Sequence, residues 1–397
     1  MAHDSPNAAP AGGGLVLPEP PPGWAPCEEP ATPTDYGPAF SLPEHQHRLL
    51  QQVNPHPRDE RIVFYPGPHE YRVDGVPTSG SVTGLVHAFA EEFNEKSVIA
   101  RMMAGRNWPR AGYLRSPPPE AALRELEPHP EAEALLAALR GRPVQEEAAA
   151  ALAQALKKAR PALAVAVHQL GLSAAEIKKK WEDNRVESAN RGTWMHLTFE
   201  LWLNRDPVPM AGPEMALFQK FVRGLSGMTA YRTEWEVYGE EENLAGSIDF
   251  VARADDGSLV LMDWKRSKQL RDHFSNSYRT LRAPLDHIDD CGGQLYRLQL
   301  NCYRYLIEKY YDQKVSSMLV VCTHPDNGDE AFVHEVPVLK AETDYLMWWQ
   351  RNRVSGNVER RMLSQLGRPS EAAESARAAK RPRTGGESAR PKFDFIL

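Results

Sequence analysis

The sequence is poor in cysteine: Cys27, Cys291, Cys302 and Cys322 are the only four in 397 residues, irregularly spaced and without a CxxC pair. That spacing excludes a disulfide framework and offers no half of a zinc site. A run of ~18 apolar residues is also missing, so no membrane span is expected. The N-terminus, Met1-Ala2-His3-Asp4-Ser5-Pro6, lacks the basic and apolar regions of a signal peptide and the arginine-rich amphipathicity of a mitochondrial presequence. Excess positive charge is absent too: 47 Lys and Arg stand against 53 Asp and Glu, a net charge of −6. A polyanionic partner would therefore need a local basic groove, since no global field attracts it. Finally, no Walker A phosphate loop occurs, so an ATP-driven motor would have to be a separate chain. A soluble nuclear or cytoplasmic protein is the expectation.

What is present divides unevenly along the chain. The first 43 residues hold 11 of the 33 prolines, with Gly12-Gly13-Gly14 and Pro20-Pro21-Pro22. Such a segment buries too little apolar surface to offset the entropy of ordering, and residues 1–44 are expected to be a disordered tail. Residues 366–397 are expected to be a second, basic one. Between them, residues 45–185 read as a hairpin followed by a helical layer. Ile62 to Val73 alternates weakly and meets turn chemistry at Asp74-Gly75, and a helix should start near Val82. Ala/Leu/Glu-rich helical stretches then run from 117 to 172, broken at Gly141, Pro143, Pro161 and Gly171. Ser173 with Glu176 forms a capping-box pair for one helix, and a second should run from near Val186 through His196 to Leu203.

From here the texture becomes β-rich. Tyr231–Tyr238, Gly246–Arg253 and Ser258–Lys265 predict a meander, with Asp255-Asp256-Gly257 as the hairpin turn between the last two. A helix over about 289–311, a very apolar strand at Ser316–Thr323 and a further strand at Ala331–Val336 follow. Residues 186–365 thus predict an α/β core: a mixed central sheet flanked by helices.

The chemistry gathers on these strands. Asp249 ends Gly246-Ser247-Ile248-Asp249, and Asp263 and Lys265 lie in Met262-Asp263-Trp264-Lys265. Residues two apart on a strand share a face, so Asp263 and Lys265 can meet one substrate while Trp264 points away. Two neighbouring carboxylates repel unless a cation lies between them, and a hard divalent ion such as Mg²⁺ or Mn²⁺ relieves that repulsion. Taken alone, D-x-K is a common tripeptide that more often makes a surface pair. The context raises its weight. Upstream lies Arg191-Gly192-Thr193-Trp194-Met195-His196 with Glu200 one turn on, and downstream Gln299 and Tyr303 are four apart on a helix.

G-x-x-x-H, G-x-x-D, D-x-K and Q-x-x-x-Y, in this order, resemble the RecB/Cas4-like exonuclease branch of the PD-(D/E)XK nuclease superfamily over residues 186–336. His69-Glu70-Tyr71 with Ser81-Val82-Thr83 resembles the lead-in of viral and eukaryotic members. The resemblance implies a restriction-endonuclease-like core in which His196, Asp249 and Asp263 ligate Mg²⁺ or Mn²⁺, together with the Trp264 carbonyl. It further implies that Lys265 positions or deprotonates the attacking water and stabilises the phosphate, while Gln299 and Tyr303 orient the lysine and the DNA backbone. Glu234 is a further acidic candidate, with Glu236 as its same-face alternative. Some relatives hold an iron-sulfur cluster on one early and three grouped late cysteines; the cysteines here are not so grouped, and no cluster is expected.

Around the D-x-K lie Arg266, Lys268, Arg271, Arg279, Arg282, Arg297 and Arg304, interleaved with Phe274, Tyr278 and Tyr296. Cations for phosphates and rings for bases suit single-stranded DNA or a DNA end, with Arg266, Lys268, Arg297 and Arg304 as DNA-binding candidates. The expected function is a metal-dependent DNA exonuclease, able to work beside a helicase or repair partner. A structure-specific endonuclease and a non-catalytic DNA-binding module remain as alternatives. Lys380-Arg381-Pro382-Arg383 in the C-terminal segment is a candidate nuclear import signal.

Overall fold

A computed structural model describes residues 13–354 apart from 29, 43–47, 142–144, 210–211 and 277. The C-terminal basic cluster lies outside the described residues. The chain divides into two compact units, one made of residues 1–91 with 188–397 and the other of residues 92–187. The hairpin lies in the unit that holds the sheet and not in the helical one, which begins only at 92.

In the first unit, a short helix α1 (Leu49–Val53) precedes three antiparallel strands, β1 (Ile62–Tyr65), β2 (Glu70–Val73) and β3 (Val76–Pro77). Asp74 (φ +52°) and Gly75 (φ +79°) make the left-handed turn between β2 and β3 that Asp-Gly favours. A two-residue strand β4 (Gly80–Ser81) leads directly into α2 (Val82–His87), where the Ser81 hydroxyl accepts from the Gly84 amide as the N-cap.

The second unit is helical: α3 (Glu95–Ala104), α4 (Glu120–Leu126), α5 (Glu133–Arg140), α6 (Glu146–Ala159), α7 (Ala164–Gln169) and the first half of α8 (Ala174–Leu203). Its core is built from leucines and small alanines such as Leu126, Leu135, Ala149, Ala153 and Leu170, which let the helices approach closely. The capping box at the start of α8 forms reciprocally, Ser173 N donating to Glu176 Oε2 (2.7 Å) and Glu176 N to Ser173 Oγ (3.3 Å). The two helices expected between 173 and 203 are one 30-residue helix, because nothing between Lys180 and Val186 breaks it.

Back in the first unit, α9 (Pro213–Arg223) was not anticipated; Pro213 starts it and Met215, Phe218 and Val222 form its buried stripe. Strands β5 (Met228–Gly239), β6 (Leu244–Ala254) and β7 (Leu259–Lys265) follow, then α10 (Gly292–Tyr310), β8 (Val315–Cys322), β9 (Phe332–Glu335) and α11 (Lys340–Val354). The sheet has the order β4-β6-β7-β8-β9 with β5 on the other edge of β6, and it is mixed: β4–β6 and β7–β8 are parallel, the other pairs antiparallel. One face packs on α2, α10 and α11 through Trp235, Val251, Leu261 and Val320. The other packs on α8 and α9 through Phe250, Ala252, Met262 and Trp264. This is the α/β core that the strand and helix pattern predicts.

The proline-rich N-terminal segment departs from expectation over 13–28 and 30–42. Leu15 is buried, and the Val16 and Ala230 amides donate across to Met228 and Val16 carbonyls along the outer edge of β5. Cys27, Tyr36 and Phe40 pack on Trp194, Leu197 and Leu201 of α8. Prolines forbid a long ladder here, but a few apolar anchors suffice to seat an irregular segment, which average composition hides.

Candidate metal centre and active site

The site forms where the sheet is split. Along one edge of β6, β4 covers Leu244 and Ala245 and β7 covers Phe250 to Arg253, leaving residues 246–249 without a strand partner on that side. The β6–β7 ladder ends at the Phe250–Met262 pair. Just beyond it the Asp249 carboxylate takes the place of backbone, Oδ2 accepting from the Trp264 amide at 2.7 Å. The strands are delivered to this register by the turn at Asp255-Asp256-Gly257, where Gly257 adopts φ +84°.

Behind the split, α8 presents His196, whose Nε2 lies 3.1 Å from the Trp264 carbonyl. Its Nδ1 faces Glu234 Oε1 at 3.6 Å and Asp249 Oδ2 at 3.7 Å. Burial disfavours the imidazolium, but Asp249 and Glu234 outweigh it and hold His196 at about 9. One donor atom from each of His196, Glu234 and Asp249 lies within 4.8 Å of the others. An imidazole nitrogen and two carboxylate oxygens in that space form a donor set that fits a divalent cation.

Asp263 lies beside this group and not within it: its Oδ2 is 2.7 Å from Lys265 Nζ. Burial pushes Asp263 up to about 6, with Asp249 adding to the push against the attraction of Lys265. Lys265 resists its own burial because Asp263 and Asp249 hold its ammonium well above the usual range, and its Nζ sits 4.7 Å from the Tyr296 ring centroid. Trp264 points to the other face, stacked on Phe250 and met edge-on by Phe199, Phe218 and Phe221. That packing fixes the residue whose amide serves Asp249 and whose carbonyl serves His196.

Of the two glutamates on β5, Glu234 turns to the site, its Oε2 accepting from Ser247 Oγ at 3.0 Å. Its φ of +41° breaks strict strand alternation. Such a conformation in a non-glycine residue costs ~1–3 kcal/mol and collects at functional sites. Glu236 instead meets the Phe64 amide of β1, and burial raises its pKa. Glu200 pairs with Arg48 at 3.9 Å.

Gln299 bonds the Tyr303 hydroxyl, and Tyr303 packs over Gly246, where a Cβ would come within 2.7 Å of its ring. The Gly246 of the motif is thus the space that Tyr303 occupies. Tyr71 of β2 closes the same side, its hydroxyl at the Ser247 backbone and its ring within the field of Glu236, Glu234 and Asp249. The sequence marked Tyr71 only as part of a lead-in; its place against the uncovered edge of β6 is a tertiary contact with no local signature.

A family model described as the PD-(D/E)XK nuclease superfamily matches residues 81–381. The chain belongs to the PD-(D/E)XK nuclease superfamily. Its members are metal-dependent nucleases, and the split sheet with its Asp249, Asp263 and Lys265 is the core that the family model spans. The search of the curated proteins gives no match. Among solved structures, one titled "Crystal structure of SSO0001" is similar at 17% identity over 44% of this chain and 66% of that one, with a TM-score of 0.21. No helix among the described residues is long and apolar enough to cross a membrane.

The cationic candidates separate. Arg266 is half-hidden in an ion pair with Glu214 (2.7 Å), and exposed Lys268 pairs loosely with Asp326 (3.4 Å). Arg297 donates to His334 Nε2 at 2.9 Å and lies over Phe274. Arg304 pairs with Glu308 and lines a groove with Val315–Met318 and Glu335–Val338, at the opposite end of β8 from Cys322, the partner of Lys265. Seven residues of strand at ~3.3 Å each separate those ends. Arg304 stands among the basic residues near the D-x-K in sequence; the strand register puts it at the end of the sheet away from Lys265.

Proposed function

We propose that this nuclease is a Mg²⁺- or Mn²⁺-dependent DNA exonuclease acting on ends or single strands. The observation that carries the reading is the Asp249 carboxylate bonded to the Trp264 amide at the split between β6 and β7. It gathers His196, Glu234 and Asp249 on one side and the Asp263–Lys265 pair on the other.

In this reading His196, Glu234 and Asp249 hold the cation, with Asp263 and the Trp264 carbonyl next to them. A bound divalent ion supplies Lewis-acid polarisation of a phosphate oxygen and a water of lowered pKa. Lys265, kept charged by Asp263, faces the charge that develops on the phosphate and serves as electrostatic stabiliser more readily than as base. Gln299 and Tyr303 brace the uncovered edge of β6 and orient the lysine side of the site.

The deciding experiment is degradation of 5′- and 3′-labelled single- and double-stranded DNA. Stepwise release from one end in Mg²⁺, with none in EDTA, is expected. Internal fragments appearing first would replace exonuclease by endonuclease, and no cleavage under Mg²⁺ or Mn²⁺ would overturn the reading.

A further inference from the structure

Two strands from Lys265, the same end of the sheet carries a second cluster that the hydrolytic chemistry does not use. Lys265 pairs with Cys322 across β7–β8, and Cys322 with Phe332 across β8–β9. Phe332 is therefore ~10 Å from Lys265 along the sheet. Phe274 stacks on His334 with centroids 3.9 Å apart, and its centroid is 6.3 Å from that of Phe332. Two guanidinium planes interleave with these rings: Arg271 lies 5.1 Å from the Phe332 centroid and Arg297 5.0 Å from that of Phe274.

Phe274 and Phe332 rest against the core between α10 and the sheet but are not enclosed by it. The three rings are only half-buried, and Arg271 is exposed. Yet the cluster is rigid: Arg297 bonds His334 Nε2, Gln294 Nε2 donates to the Phe274 carbonyl at 2.8 Å, and Phe274 sits where a side chain at Gly293 would clash. Fixed π-faces beside cations at a solvent boundary have the chemistry that takes up an unstacked base and its phosphate.

We propose that Phe332, Arg271, Phe274 and His334 form a stacking subsite for an unpaired base of single-stranded DNA, holding the strand next to the catalytic end. The proposal rests on the nuclease reading for its substrate, and its test separates the two. Binding of the full chain to a fluorescein-labelled oligodeoxythymidine in EDTA is measured by anisotropy, beside a probe of the same length made of abasic sugars. Phe332→Ala is expected to raise Kd about tenfold for the base-bearing probe and to leave the abasic probe unchanged. Phe332→Tyr restores binding and Phe332→Leu, which keeps apolar volume without a π-face, does not. Should Phe332→Ala fail to fold, Arg271→Ala on an exposed side chain is expected to raise Kd about fivefold for the base-bearing probe and by less for the abasic probe, which keeps the phosphate but lacks the base. Unchanged affinity in both variants, or equal rescue by leucine and tyrosine, overturns the subsite. Base-dependent binding by a protein that cleaves nothing in Mg²⁺ upholds the subsite and sinks the nuclease reading. Cleavage of DNA without base-dependent binding does the reverse.

Discussion

Two carboxylates in this sheet are equally hidden and oppositely treated. Glu242, in the turn from β5 to β6, is 0% exposed, and Asp263 near the end of β7 is 3% exposed. Glu242 accepts from Tyr305 (3.0 Å), Lys309 (3.2 Å), Tyr310 (2.6 Å) and Arg351 (2.5 Å). Burial works against its charge, yet hydrogen bonds from Tyr310, Arg351, Lys309 and Tyr305 outweigh it and hold the carboxyl below its usual range. Asp263 has Lys265 on one side and the like charge of Asp249 near by, and burial carries it up to about 6. A satisfied buried carboxylate belongs to the architecture. One left partly compensated is a burden on folding, kept where charge is needed for chemistry.

The contrast is sharpest in paired variants. Asp263→Asn is expected to lower cleavage by ~10³-fold or more with a smaller drop in the denaturation midpoint than Glu242→Gln shows, because the neutral isostere removes a desolvated charge and so offsets part of what Lys265 loses with its partner. Labelled-DNA degradation and urea unfolding followed by circular dichroism read both quantities. Full activity in this variant would break the assignment of Asp263.

Glu242→Gln should show the reverse profile: a loss of about 3 kcal/mol in stability, as two cations and two hydroxyls lose their shared charge, with the rate per folded molecule unchanged. The pH dependence follows from the lowered pKa. Stability from Glu242 is complete above the unfolded carboxylate value of ~4.3 and is lost as pH falls through the folded value. The gap between parent and Glu242→Gln should therefore be widest at neutral pH and narrow progressively in acid. A gap that stays constant would remove charge from the explanation.

How much of this was legible differs between the two carboxylates as well. The strands, the turn at Gly257, the α10 helix and the shared face of Asp263 and Lys265 follow from local pattern, because period two and turn chemistry are short-range, whereas His196 is singled out only through the resemblance to a family. Neither the choice of Glu234 over Glu236 nor the role of Tyr71 is local. Both depend on a positive φ and on the bare edge of β6, which exist only once β4, β6 and β7 assemble. Glu242 carried no signal at all, since its partners lie some 60 to 110 residues away. Arg304 differs for a related reason: nearness in sequence does not say at which end of the sheet a residue lies, and strand register does.

A smaller effect tests the bare edge itself. Gly246→Ala would place a Cβ 2.7 Å from the Tyr303 ring, which Gln299 restrains. Overpacking of this kind costs ~1–3 kcal/mol. Both quantities should fall in step here, unlike in either carboxylate variant, since Tyr303 is at once core and brace. Loss of stability with activity intact would confine Tyr303 to packing.

The smallest expected effect asks how far the charge logic of the catalytic end extends beyond its buried residues. Lys268 is 67% exposed, three residues past Lys265, and its contact with Asp326 is 3.4 Å long with that partner 58% exposed. Solvent-screened pairs of this geometry contribute next to nothing to folding. Lys268→Ala should therefore leave the unfolding curve superimposable on the parent's. If Lys268 neutralises a phosphate of the bound strand, its removal lowers the slope of log Kd against log salt by about 1 and weakens binding equally for every sequence. A salt slope unchanged in Lys268→Ala would limit the working charges of this end to those fixed by the sheet.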